Sequence, residues 1–288
     1  MDLSNRQTIR ELLSRHGFTF RKQLGQNFLI DPTVCPRMAE SGVTGPDCGV
    51  LEIGPGIGVL TVQLAARAQK VCAVELDRRL LPVLAETLQP FQNVHVVQGD
   101  VLKLDLPALL QQEFAGMHIA VCANLPYYIT SPVIMKLLEE KLPIEFLTVM
   151  VQKEAAERLC AAPGTRACGA VSAAVWYYAE PKLLFPVGRG SFLPSPKVDS
   201  AVIQLRVRKA PPVQLRDETF FFRVVRAAFG QRRKAAANAV SAGLSLPKAT
   251  VQAALKQIDA PASVRAERLT LEQLAALSNL LYPAAFPS

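Results

Sequence analysis

The chain has 288 residues, of which 50% are hydrophobic and 19% are charged, and its formal net charge is +8. This composition allows a sizeable packed core and excludes global disorder, and the length suits one large α/β domain with a smaller second one. No run of about 18 apolar residues lacks polar interruption, so we expect no membrane span. The first 20 residues carry several charges and no apolar stretch, and we therefore expect no secretory signal.

Cysteine and histidine usage bears on metal sites and disulfides. The six cysteines form no Cys-x-x-Cys pair, and the chain has three histidines. We expect neither a zinc site nor a disulfide framework, and no metal cofactor. Reduced thiols without an export signal point to the cytoplasm.

The net charge is unevenly distributed. Residues 205–288 hold 13 Lys or Arg against 5 Asp or Glu, and residues 1–30 hold 5 against 2. The middle of the chain, residues 31–204, holds 14 Lys or Arg against 17 Asp or Glu. Two basic ends around a slightly acidic middle are typical of an enzyme that binds a polyanion, although a solvated helix face also uses arginine in this way.

Strand-like and helix-like segments alternate from residue 6 to residue 152. The pattern predicts helices over 6–16, 33–41, 59–68, 78–88, 106–113 and 131–140, and strands over 49–53, 70–75, 94–99, 118–123 and 146–152. Strands separated by helices of about ten residues imply a mostly parallel sheet covered on both faces. Two further strands, over 182–187 and 198–207, suggest a terminal antiparallel hairpin.

The C-terminal part of the chain is predicted to be helical. A Pro-rich linker over 208–212 precedes a helix over 218–229 that ends at Gly230, and Thr270-x-x-Gln273 reads as a capping box before another helix. We therefore expect an α/β domain over 1–207 and a small all-α, basic domain over 213–288.

A glycine-rich turn follows the first strand of the predicted sheet. Glycines at 54, 56 and 58 allow a ligand to approach the backbone, and the helix after them offers free N–H groups. The dinucleotide-binding pattern Gly-x-Gly-x-x-Gly would need a glycine at position 59, which is Val59. The turn thus favours a nucleoside cofactor other than NAD.

Two acidic residues end the next two strands. Glu75 can accept hydrogen bonds from both hydroxyls of a ribose, and Asp100 can accept one from an adenine amine. Either carboxylate alone would read as a surface residue or helix cap. Three such features at successive strand ends favour a ligand site, because open α/β sheets bind ligands there.

Asn124-Leu125-Pro126-Tyr127 ends the fourth strand, next to the expected pocket. An adenine N6 amine is a weak nucleophile whose two N–H bonds need acceptors while the nitrogen becomes pyramidal. The Asn124 oxygen and a backbone carbonyl of this loop suit that need, and they would face the charge that develops on nitrogen. Pro126 stiffens the loop, and the Tyr127 ring offers a stacking surface for a splayed-out base.

Together these segments resemble the ribosomal RNA adenine N6-dimethyltransferases, and among them the KsgA/RsmA type that acts on 16S RNA. The resemblance covers nearly the whole chain. It rests on Gly25-Gln26-Asn27-Phe28-Leu29, Glu52-x-Gly54-x-Gly56-x-Gly58, Glu75, Asp100, Asn124-Leu125-Pro126-Tyr127, Phe192-x-Pro194-x-Pro196-Lys197-Val198-Asp199-Ser200 and Phe229-x-Gln231-Arg232-Arg233-Lys234. It implies a Rossmann-like class I methyltransferase fold.

The resemblance also implies a cofactor, a substrate and residue roles. The cofactor is S-adenosylmethionine, and the substrate is a pair of adjacent adenosines in the 3′-terminal hairpin loop of 16S RNA, on an immature small subunit. Catalytic roles fall on Asn124, Pro126, Tyr127 and Phe192, with Phe192 facing Tyr127 across the target base. Cofactor contacts fall on Gln26, Asn27, Leu29, Gly54, Gly56, Glu75, Leu76, Asp100, Val101 and Asn124.

Basic residues at both ends of the chain are candidates for RNA contact. They are Arg21, Lys22, Arg223, Arg226, Arg232, Arg233 and Lys234. Phosphate contacts of this kind position RNA without reading its sequence. We expect a monomer, because nothing in the sequence demands more.

Three alternatives stay open at this point. The first is the related 23S RNA adenine N6-methyltransferase of antibiotic resistance. The second is a ribosome-assembly factor whose catalysis is secondary. The third is a small-molecule methyltransferase, which leaves the basic tail unexplained.

Overall fold

The computed structural model describes residues 1–20, 26–231 and 233–286. These fall into two compact units. The first combines Met1–Ala156 with Pro181–Val207, and the second combines Glu157–Glu180 with the chain from Arg208 onward. Among the described residues, no helix is both long enough and apolar enough to cross a membrane.

The first unit is built on a seven-stranded sheet with helices between the strands. Its elements are α1 (Arg6–Arg15), β1 (Phe28–Leu29), α2 (Val34–Gly42), β2 (Cys48–Ile53), α3 (Val59–Ala65), β3 (Lys70–Glu75), α4 (Leu81–Thr87), β4 (Val94–Gln98), α5 (Leu106–Phe114), β5 (His118–Asn124), α6 (Thr130–Glu139), β6 (Ile144–Gln152), β7 (Ala179–Val187), β8 (Phe192–Leu193) and β9 (Ser200–Val207). Strands β2 and β3 are short Val- and Ile-bearing runs buried along nearly their whole length, as parallel strands covered on both faces require.

The strand order places β2, the first strand of this sheet in the chain, in the interior of the sheet, third of the seven. The order is β4-β3-β2-β5-β6-β9-β7, and β2 pairs in parallel with both β3 and β5. The chain therefore winds outward on one side of β2 and returns on the other, which creates a topological switch point between the ends of β2 and β5. Strand β9 is antiparallel to β6. The predicted Rossmann-like α/β fold is thus confirmed.

The second unit is helical around an apolar core. Its helices include α8 (Ala170–Tyr178), α9 (Glu218–Phe229), α10 (Ala236–Leu244), α11 (Lys248–Gln257) and α12 (Leu271–Ala285), while α7 (Lys153–Cys160) crosses the boundary between the units. Helix α9 has its predicted bounds and ends at Gly230, whose φ of −64° is right-handed. The Thr270 capping box is present.

Two details of the sequence-based division differ from the structure. Helices α7 and α8 were not predicted, and residues 157–180 belong to the helical unit although the expected α/β domain ran over 1–207. The reason lies in the second unit's core, where Ala173 and Tyr177 of α8 pack with Phe221 of α9. The expected hairpin is interrupted as well: β7 and β9 are sheet neighbours, but the segment between them forms β8, which pairs antiparallel with β1.

Candidate active site

The glycine turn after β2 is held against the end of β3. Gly54 has a φ of +70° and Gly58, which caps α3, a φ of +90°, so both occupy the left-handed region that favours glycine. The Gly56 N–H donates to Glu75 Oε2 at 3.2 Å, and the Asp77 N–H donates to Oε1 at 2.7 Å. Glu75 thus fixes the turn with both oxygens, and carboxylate oxygens, each with two lone pairs, can also accept from a ligand.

Glu75 is a buried carboxyl, only 6% exposed. Burial raises its pKa above the ordinary value, and the hydrogen bonds from the Asp77 and Gly56 backbone limit the rise. Next to it, the Gln26 Nε2 donates to Asp77 Oδ2 at 2.9 Å, which ties the segment before β1 to this strand end. Leu76 is 47% exposed although it lines the same cavity.

The end of β4 adds Asp100 and Val101. The Leu102 N–H donates to Asp100 Oδ1 at 3.0 Å, which fixes that carboxylate, and the Lys103 ammonium lies 3.8 Å from Oδ2. Val101 is buried beside it. A fixed acceptor next to an apolar side chain suits the edge and face of an adenine ring.

Asn124 ends β5 with its side-chain amide oriented by a contact across the site. The Asn124 Nδ2 donates to the Asn27 carbonyl at 3.5 Å, which leaves Oδ1 as an acceptor. In the loop that follows, the Pro126 carbonyl already accepts from the Ile129 N–H at 3.1 Å and the Thr130 hydroxyl at 3.4 Å. Within the described residues, none of the turn and loop hydrogen bonds goes to the Leu125 carbonyl, which makes it a candidate acceptor for a ligand.

Two aromatic side chains complete the site. Tyr127 is half-buried, its hydroxyl lies 2.7 Å from Ser200 Oγ, and burial raises its pKa. Phe192 is 2% exposed in β8, opposite Leu29 of β1. The tyrosine ring is held at its hydroxyl end, and the phenylalanine ring is held by a two-stranded pairing.

One cavity is lined by all of these predicted residues. It includes the catalytic set Asn124, Pro126, Tyr127 and Phe192 and the cofactor set Gln26, Asn27, Leu29, Gly54, Gly56, Glu75, Leu76, Asp100 and Val101. The cavity lies at the carboxyl ends of β2 to β5, around the switch point. Among the RNA-contact candidates, Arg223, Arg226, Arg233 and Lys234 are exposed on the helical unit. Arg21, Lys22 and Arg232 lie outside the described residues.

Glu52 is a cavity residue for which the sequence suggested no role. Its side chain is 1% exposed, and no described residue forms a hydrogen bond with Oε2. Burial raises the pKa of this carboxyl to about 8, with the Thr61 hydroxyl opposing the rise and Glu75 adding to it. The sequence signal was an acidic residue inside a continuous apolar strand, where a buried acid needs a partner.

A separate cluster lies on β3, β4 and α5. Cys72, His95 and Glu113 bring their potential ligand atoms within 4.8 Å of one another. The Glu113 carboxylate already has two partners, since Lys70 Nζ and His95 Nδ1 each lie 2.9 Å from one of its oxygens. None of the three lines the cavity described above. The buried ion pair with Lys70 accounts for the acid at this place.

Comparison with known proteins identifies relatives of this chain. The family model described as ribosomal RNA adenine dimethylase matches residues 17–282. A protein of Geobacillus sp. (strain WCH70) named Ribosomal RNA small subunit methyltransferase A is 49% identical over 284 residues, 97% of this chain and 98% of its own. The protein of the same name in Bacillus pumilus (strain SAFR-032) is 47% identical, over 96% of each chain.

Solved structures agree in fold. The 23S rRNA methyltransferase ErmE has a TM-score of 0.70 at 30% identity and covers 89% of this chain and 100% of its own. A dimethyladenosine transferase from Plasmodium falciparum has a TM-score of 0.72 at 24% identity and covers 87% of this chain and 95% of its own. This likeness supports the fold alone. The family match spans nearly the whole chain and contains the glycine turn, the acids and the Asn124 loop. The chain therefore belongs to the ribosomal RNA adenine dimethylase family and is an S-adenosylmethionine-dependent rRNA adenine dimethyltransferase.

Proposed function

We propose that this chain transfers methyl groups to the N6 amines of two adjacent adenosines in the 3′-terminal hairpin loop of 16S RNA, as a late step in small-subunit maturation. One observation carries the proposal. The glycine turn, Glu75 and Asp100, which suit a nucleoside cofactor, line the same cavity as the Asn124 amide, whose orientation is fixed by Asn27. The relatives that are 47–49% identical over nearly their whole length carry the name Ribosomal RNA small subunit methyltransferase A. These names support 16S RNA, rather than 23S RNA, as the substrate.

The cavity fits S-adenosylmethionine. A Cβ placed on Gly54 would have no atom within 4 Å. The space beside the Gly54 backbone is therefore open to a ligand. Glu75 would hold the ribose hydroxyls with its remaining acceptor sites, and Asp100 with Val101 would hold the adenine. The segment Gln26 to Leu29, tied to Asp77 and Asn124, would cover the cofactor. When bound, this cofactor supplies a methyl group activated on a positively charged sulfur.

The chain's own residues would then orient the amine. Asn124 Oδ1 and the Leu125 carbonyl accept its two N–H bonds, which directs the nitrogen lone pair out of the ring plane and places dipoles against the charge that develops. Tyr127 and Phe192 would hold the base between their rings. The nitrogen gains the methyl group and loses one proton to solvent. The monomethylated amine keeps one N–H for one of the two acceptors, and after exchange of the spent cofactor it would gain a second methyl group and lose that last proton to solvent.

The helical unit would position the RNA. Arg223, Arg226, Arg233 and Lys234 are exposed, and within the described part of the chain none of them pairs with a carboxylate. Basic side chains free of acids are available for phosphates. The mechanism above assigns every step to protein groups and the methyl donor, so we propose a metal-free monomer that acts on ribosomal subunits in the cytoplasm.

The test compares RNA substrates. The protein is incubated with labelled S-adenosylmethionine and either small or large ribosomal subunits that lack the modification. The proposal expects label in 16S RNA and none above background in 23S RNA. Label confined to 23S RNA would refute the substrate assignment in favour of the antibiotic-resistance type, and binding to small subunits without transfer would favour an assembly factor.

A further inference from the structure

Tyr128 is an exposed aromatic residue at the cavity. It follows Tyr127 in a short 3-10 turn over Tyr127–Ile129, it is one of the residues that line the cavity, and it is 54% exposed. Residues in such a turn are about 120° apart around the axis, so neighbours face different directions. The Tyr127 hydroxyl is hydrogen-bonded to Ser200, whereas Tyr128 is more than half exposed to solvent.

Other exposed aromatic rings pack against partners. Phe20 is 40% exposed, and its ring centroid lies 5.3 Å from that of Phe28. Phe286 is 50% exposed and lies 5.0 Å from Tyr282. Within the described residues, no aromatic ring or hydrogen-bonding group is recorded against Tyr128. Its ring is therefore available for contact beside the cavity.

The substrate chemistry supplies an occupant for that ring. When one base of a single-stranded loop is drawn into a pocket, its neighbour loses a stacking partner, and unstacking costs a few kcal/mol. An exposed aromatic ring can replace the lost stack, and it does so with any base. The fixed Tyr127 ring would stack on the base inside the cavity, while the exposed Tyr128 ring would stack on the neighbouring base.

We propose that Tyr128 is the stacking surface for the nucleotide adjacent to the target adenosine, and that it contributes to RNA affinity rather than to the methyl-transfer step. This inference rests on the proposed function. It assigns the ring to RNA and not to the cofactor. It also predicts that the ring, and not the hydroxyl, carries the effect.

The experiment uses a hairpin RNA with the 16S 3′-terminal loop. One of the two adjacent adenosines is replaced by 2-aminopurine, which lacks the N6 amine and whose fluorescence falls on stacking, so that the other adenosine is the target. Binding is measured with S-adenosylhomocysteine present, so that no turnover occurs. The variants are Tyr128→Ala, Tyr128→Phe and Leu183→Ala, a control that removes another exposed apolar side chain (45%) at a residue that does not line the cavity. Cofactor affinity is measured for each.

Tyr128→Ala is expected to weaken hairpin binding about tenfold and to abolish the quenching, with cofactor affinity unchanged. Tyr128→Phe and Leu183→Ala should bind and quench like the unaltered protein. Normal quenching in Tyr128→Ala, equal defects in Tyr128→Phe, or a parallel loss of cofactor affinity would each overturn the inference.

A methylation assay of the unaltered protein on small subunits separates this inference from the proposed function. Absent methylation with the expected fluorescence pattern would overturn the function and leave the stacking role in place. Normal methylation without the pattern would overturn the stacking role alone. An unaltered protein that neither binds the hairpin nor methylates the subunit would overturn both.

Discussion

The Asn124 amide is directed by its bond to the Asn27 carbonyl, so that Oδ1 is left as an acceptor. Replacing Asn124 by Ala removes the hydrogen-bond acceptor that we propose holds the amine while charge develops on its nitrogen. We expect kcat to fall at least about 100-fold while the Kd for S-adenosylmethionine, for which Asn124 is one predicted contact among ten, changes much less. The check is single-turnover transfer alongside cofactor titration. Near-normal transfer by this variant would rule out the mechanism.

Glu52 predicts a pH effect on stability. Its pKa in the folded protein is about 8 against an ordinary 4.5, so the fold favours its protonated form. The stability from this group is complete below pH 4.5 and is lost as the pH rises through 8. The side chain in Glu52→Gln stays neutral at every pH. We therefore expect the melting temperature of this variant, measured without cofactor, to rise relative to that of the unaltered protein as the pH increases from 5 to 8.5. A difference that is constant across this range would contradict the assignment.

At the scale of elements, the α12 cap offers a test of local stability. The Thr270 hydroxyl accepts from the Gln273 N–H at 3.2 Å, and Gln273 Oε1 accepts from the Thr270 N–H at 3.1 Å. Helix α12 buries Leu274 and Leu281 in the second unit's core. Thr270→Ala should lower the free energy of unfolding in urea by about 1 kcal/mol, and Thr270→Ser should restore most of it. Equal stabilities of the Ala and Ser variants would show that the cap contributes nothing.

The same scale shows which elements a sequence reveals. Strands β2 to β6 were predicted to within one or two residues, because each is a largely apolar run that ends at a polar residue or a glycine. Helix α8, with the sequence AVSAAVWYY, was missed because it is apolar on nearly every side and lacks the 3.6-residue period. Its assignment to the helical unit depends on packing between residues far apart in the chain, which no local pattern encodes.

The candidate site divides in the same way. Glycine turns, strand-end acids and the Asn124 loop carry local signals, and the structure brings all of them to one cavity. Phe192 needed the family resemblance, since it stands in a Pro-rich loop nearly 70 residues after Asn124. The roles of Glu52 and Tyr128 depend on burial and exposure, which follow from the tertiary fold alone.

At the scale of the whole molecule, charge on the helical unit predicts how RNA binding responds to salt. Arg226 and Arg233 are exposed and are proposed to contact phosphates. Replacing both with Ala should weaken binding at all sequences and lower the slope of log Kd against log salt by up to about 2. Replacing both with Lys keeps the charge and should keep the slope. An unchanged slope in the Ala variant would remove these residues from the RNA interface.

The central claim is that this molecule dimethylates adenine in 16S RNA through the Asn124 site. The most direct measurement is to treat small subunits lacking the modification with the protein and S-adenosylmethionine, digest the RNA, and identify the modified nucleoside and its position by mass spectrometry. We predict N6,N6-dimethyladenosine at two adjacent positions of the 3′-terminal loop, absent with Asn124→Ala. A methyl group on another nucleoside, or on an adenosine outside that loop, would contradict the account.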